Sequence, residues 1–131
     1  SVECRQSGFF RNPQPIPETK ILMVNGKIDD ASHAHICEEY GEKMKANGAD
    51  IEVTTKKGWG HGFEANYPPE FEKGQEVWHG CPDYYTEDDG MANKDARIDA
   101  SCTTNDGYTI GGNKKHFAGM FKKFFKKSLL D

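Results

Sequence analysis

Apolar positions along the chain gather into three patterned blocks separated by polar stretches. The first is Ile21-Leu22-Met23-Val24, a short continuous run after Lys20. Its lack of alternation predicts a strand over Lys20–Val24 buried on both faces, as in a parallel sheet. The second block runs from Ser32 to Gly48. Ile36, Tyr40 and Met44 recur at i, i+4 and i+8 with Cys37 beside them, while Glu38, Glu39, Glu42, Lys43 and Lys45 take the polar positions. That is the period of an amphipathic helix. The Ser32 hydroxyl suits its start and Asn47-Gly48 its end. Ile51-Glu52-Val53-Thr54-Thr55 then alternates and is rich in β-branched residues, predicting a second strand. Strand, helix and strand form a β-α-β unit, so the expected fold class is α/β with parallel strands.

The third block closes the chain. After Asn113, a good N-cap, Phe117, Met120, Phe121, Phe124, Phe125 and Leu129 fall at helical spacing, with Lys114, Lys115, Lys122, Lys123, Lys126 and Lys127 on the other side. A terminal helix packing its phenylalanines on the sheet, with solvated lysines, is expected. A basic amphipathic helix also admits a membrane surface or an acidic partner as the alternative. The intervening stretches are less patterned. Val2 and Phe9-Phe10 suggest the end of a strand, and Pro13, Pro15 and Pro17 make residues 12–18 an extended connector. From Tyr67-Pro68-Pro69 to Gly90 the chain reads as a long excursion, and one short helix is expected within Met91–Ala100.

Composition narrows the picture. A chain of 131 residues allows one modest domain, and hydrophobic residues at 35% promise a small core. A net charge of −4 argues against nucleic acid as a partner. No apolar run approaches the ~20 residues of a membrane span, and the start at Ser1 shows no charged-then-apolar signal segment. Cys4, Cys37, Cys81 and Cys102 include no C-x-x-C pair, and four cysteines admit three pairings that sequence does not choose between. Two disulfides in a secreted or periplasmic setting are expected, with free thiols in the cytoplasm as the alternative.

Candidate chemistry lies at the strand ends. Asp29 follows the first strand and His61 the second, and loops at the carboxyl ends of parallel strands face the same crevice. A carboxylate orienting an imidazole is the acid-base half of a nucleophilic triad. Glycines on both sides of His61 would let the backbone turn the ring into such a site. A solvated aspartate and a surface histidine are the plain alternative. His33, His35, Cys37, His61 and His79 raise a zinc site, but His33 and His35 at a helix start do not share a face, and no metal or cofactor is expected. Trp59, Phe63, Tyr67 and Trp78 suit either core or an apolar substrate pocket.

The stretch from Pro17 to Phe63 resembles the dienelactone hydrolase family of the α/β-hydrolase fold. The residues that carry the resemblance are Gly26-Lys27-Ile28-Asp29-Asp30, matching G-x-x-D-D after a strand, and His61-Gly62-Phe63, matching H-G-F. Gly48-Ala49-Asp50 and the later Tyr108-Thr109-Ile110-Gly111-Gly112-Asn113 are similar to further parts of that family. The resemblance implies Asp29 as triad acid and His61 as triad base, acting on a small ester or lactone. It also implies the pairings Cys4–Cys37 and Cys81–Cys102, each closing a loop worth roughly 2–4 kcal/mol.

A nucleophile is lacking. The hydrolase order is nucleophile, acid, histidine, with the nucleophile on a G-x-S-x-G or G-x-C-x-G elbow, and no such elbow precedes Asp29. Residues 1–131 are therefore expected to be a single partial domain, the C-terminal half of an α/β-hydrolase, with the upstream half or a complementary chain as its partner. Such a piece would be inactive by itself. The rival readings are a non-catalytic binding or structural subunit that keeps the fold, and a small disulfide-stapled metal-binding domain.

Overall fold

A computed structural model describes residues 11–31, 33–78, 80–82, 87, 89–91 and 99–130. Its elements in chain order are β1 (Lys20–Gly26), α1 (Ala34–Ala46), β2 (Asp50–Lys56), β3 (Glu70–Glu72), β4 (Tyr108–Ile110) and α2 (Lys114–Leu130). β1 and β2 pair in parallel over their whole length, from Lys20 opposite Asp50 to Gly26 opposite Lys56. α1 connects them, so the chain is a mixed α and β structure built on a parallel two-stranded sheet, loosely of the α/β class.

α1 follows the predicted period but buries a different stripe. Ala34, Cys37, Gly41 and Met44 are buried, whereas Ile36 and Tyr40 are half-buried flanks. Gly41 sits against the sheet, where a Cβ would come 2.5 Å from a Val53 methyl and 3.7 Å from the Met23 sulfur. Small residues thus set how closely helix and sheet approach, and of the large apolar side chains on the predicted face Met44 lies on the buried line while Ile36 and Tyr40 flank it. The helix begins at Ala34 with His33 as N-cap and no side-chain cap bond; the expected cap, Ser32, lies outside the described residues. At the far end the Asn47 and Gly48 amides close on the Lys43 and Lys45 carbonyls. The Asn47 side chain donates to the carbonyl of Pro13, itself fully buried, and so ties the proline-rich connector to the helix end.

β1 departs from its expectation of burial on both faces. Ile21, Leu22, Met23 and Val24 are all half-buried. α1 lies over one face; the other opens on a groove of about 750 Å³ lined by Leu22, Glu52 and Thr54 of the sheet and by Met120 and Phe124 of α2. α2 likewise departs from the expected close packing, for none of its residues is buried. It does begin as predicted, with the Asn113 side-chain oxygen accepting from the His116 amide.

The long excursion holds more order than its composition suggests. β3 pairs antiparallel with β4, Glu70 opposite Ile110 and Glu72 opposite Tyr108. Fully buried Val77 exchanges backbone hydrogen bonds with Thr104, and Cys81 is bonded to Cys102. Cys37 is also disulfide-bonded. The expected pairing with Cys4, the strand end near Val2, Phe9 and Phe10, and the helix expected within residues 91–100 fall wholly or largely outside the described residues. Among the described residues no helix is long and apolar enough to cross a membrane.

Candidate functional site

Parallel pairing brings both strand ends to one rim, and backbone hydrogen bonds then join the two loops. The Lys27 amide donates to the Lys56 carbonyl and the Ile28 amide to the Trp59 carbonyl. Gly26 makes this closeness possible, because a Cβ there would stand 2.5 Å from the Trp59 oxygen. The turn continues through the Asp29 amide, which donates to the Gly26 carbonyl. Asp29 therefore enters the rim with its backbone already fixed.

Among the described residues the two carboxylate oxygens meet separate donors. One oxygen, Oδ1, accepts from the Ala31 amide at 3.0 Å, and the other, Oδ2, lies 3.2 Å from His61 Nδ1. The Asp29 side chain is 3% exposed and the His61 side chain 23% exposed. A carboxylate only accepts, so this contact places the imidazole proton on Nδ1 and leaves Nε2 as the basic nitrogen. Burial on the aspartate side and partial exposure on the histidine side is the asymmetry that a proton-transferring imidazole needs. The inner group is held while the outer edge stays reachable.

His61 is held from a second direction that its own motif does not announce. Its amide donates to the Thr109 carbonyl and its carbonyl accepts from the Gly111 amide, both at 2.8 Å. The Gly60 amide also donates to the Gly111 carbonyl at 2.8 Å. A Cβ on Gly60 would collide with the Thr109 carbonyl oxygen, so only glycine lets the loop lie against β4. The Tyr108 ring stands edge-on to the imidazole with centroids 5.3 Å apart. Tyr108, Thr109 and Gly111 thus belong to the site. Within the sequence their signal is the β-branched, aromatic Tyr108-Thr109-Ile110 bounded by glycines, which reads as a strand but does not say which loop it will brace.

Glu64 is a further acidic neighbour. It lies close enough to His61 for the two side chains to interact electrostatically. Of the aromatics considered for a pocket, Trp59 and Phe63 are buried and stacked on each other at 5.3 Å. Trp59 also meets His116 edge-on, and Phe63 meets Phe117. These two are core that carries the histidine loop and the start of α2. Tyr67 is exposed, and the Trp78 indole donates to the Glu76 carboxylate.

The rings of His33 and His35 lie 5.4 Å apart at the start of α1, and His79 lies outside the described residues. Among the described residues no three His, Cys, Asp or Glu side chains gather as a metal-binding group. Comparison with known proteins finds no family model, no curated protein and no solved structure that matches this chain.

Proposed function

We propose that this chain is the C-terminal part of an α/β-hydrolase similar to the dienelactone hydrolase family, cleaving a carboxylic ester or lactone. The observation that carries the proposal is the contact of buried Asp29 with partly exposed His61, each on the loop that follows a parallel strand. His61 is the general base and then the general acid, and Asp29 is the group that orients it. The nucleophile, a serine or cysteine, comes from polypeptide outside these 131 residues, which hold no G-x-S-x-G or G-x-C-x-G elbow.

The chemistry follows from the proton positions. As the nucleophile attacks the ester carbon, His61 Nε2 takes its proton and Asp29 supports the resulting imidazolium. The tetrahedral intermediate expels the alkoxide, which receives that proton, and an acyl-enzyme remains. Water then attacks the acyl carbon with His61 again as base, releasing the acid and the free nucleophile.

A second reading rests on the same contact seen structurally. The Asp29–His61 hydrogen bond joins two loops, as a structural link in a non-catalytic binding or structural subunit would. Covalent labelling of the complete protein with a fluorophosphonate or, for a thiol nucleophile, an iodoacetamide probe separates the two. A hydrolase labels on one residue at a rate that collapses in His61→Ala, whereas a non-catalytic subunit does not label.

A further inference from the structure

α2 carries two apolar stripes, and among the described residues only one of them faces the rest of the chain. Phe117, Met120, Phe124 and Ser128 are half-buried, with Phe117 reaching Phe63. The other stripe, Phe121, Phe125 and Leu129, recurs at i, i+4 and i+8 and is 49%, 48% and 82% exposed. The Phe121 and Phe125 rings meet edge to face with centroids 4.7 Å apart, so the stripe is a continuous ridge. Large aromatic and aliphatic side chains aligned in this way mark an interaction surface rather than scattered exposure.

Charge says what kind of surface. Every formally charged side chain on α2 is a lysine: Lys114, Lys115, Lys122, Lys123, Lys126 and Lys127. The chain's net charge of −4 is therefore +6 on this helix and −10 on everything else. Lys122 and Lys126 each directly follow a ridge phenylalanine in sequence. An apolar face flanked by lysines is the pattern of a helix lying in the headgroup region of a bilayer.

Shape points the same way. The ridge stands on the convex flank of a helix, and neither Phe121 nor Phe125 lines the groove between α2 and the sheet. A protein partner would need a trough cut to that ridge, whereas headgroups and acyl chains close around a convex insert. The acidic remainder of the chain is repelled by an anionic surface and so orients α2 towards it.

We infer that α2 docks on an anionic lipid surface, with Phe121, Phe125 and Leu129 inserted among the acyl chains and Lys122 and Lys126 at the phosphates. The association is peripheral. It does not depend on the chemistry proposed for Asp29 and His61; it requires only that Phe121, Phe125 and Leu129 stay exposed in the complete protein.

The test is co-sedimentation of the complete protein with vesicles of phosphatidylcholine, with and without about one-third phosphatidylserine. Sedimentation with the anionic vesicles and not the neutral ones is expected. The bound fraction should fall by about tenfold or more in Phe121→Ser/Phe125→Ser/Leu129→Ser and in Lys122→Glu/Lys126→Glu, with helix content by circular dichroism unchanged. The charge variant keeps the test valid if the serine variant misfolds. Failure to sediment with either vesicle, equal sedimentation with both, or serine and charge variants that bind like the parent would each overturn the inference. So would self-association of the parent that the serine variant abolishes, since a second copy would then be the occupant.

Discussion

The carboxylate of Asp29 divides its two oxygens between the Ala31 amide and the His61 ring, so one side chain fixes both its own turn and its neighbour's imidazole. The amide bond holds one carboxylate oxygen and so aims the other at the imidazole. The histidine contact then selects the tautomer with Nδ1 protonated. Two loops from the ends of adjacent parallel strands become one site through this residue.

The tautomer of His61 depends on Asp29 carrying a carboxylate. Asp29→Asn keeps the side chain's shape, but its amide nitrogen can donate to Nδ1 and favours the opposite tautomer. In the complete protein kcat for a small aryl ester should fall by about 10⁴-fold. Steady-state kinetics beside an unfolding curve checks it; a rate within tenfold of the parent would mean that Asp29 does not orient a catalytic imidazole.

A side chain at Gly60 would meet the Thr109 carbonyl, so the loop bearing His61 would have to lift away from β4. Gly60→Ala should destabilise by about 1–3 kcal/mol, as overpacked positions do. Urea unfolding measures this loss, and an unchanged midpoint would show that the loop does not need that contact.

The bond between Cys81 and Cys102 spans a sequence separation of 21, and it sits beside the pairing of Val77 with Thr104. Cys81→Ser/Cys102→Ser should cost about 3 kcal/mol through the freed unfolded chain. The loss is read from urea denaturation under non-reducing conditions, and a change below half of that would show that the bridge constrains little.

Much of the site was legible because it depends on strand ends, and strand ends follow from periodicity. The unbroken run Ile21–Val24 and the alternation Ile51–Thr55 placed two parallel strands, and Asp29 and His61 come together as the next loops on one rim. What escaped was long-range or small. Glu70-Phe71-Glu72 is too short and polar to read as a strand until β4 supplies its partner from far along the chain. The line where α1 meets the sheet runs over Ala34 and Gly41, which carry almost no hydrophobic signal. α2 was legible as a helix from its phenylalanine period and its Asn113 cap, but that period does not say which of its two apolar stripes faces the body.

Catalysis at this rim requires the imidazole at position 61. His61→Ala in the complete protein, assayed by single-turnover and steady-state hydrolysis of a small aryl ester, should lower kcat by about 10⁴- to 10⁶-fold in a variant that still unfolds cooperatively. A variant that folds normally and hydrolyses the ester at the parent rate would contradict it.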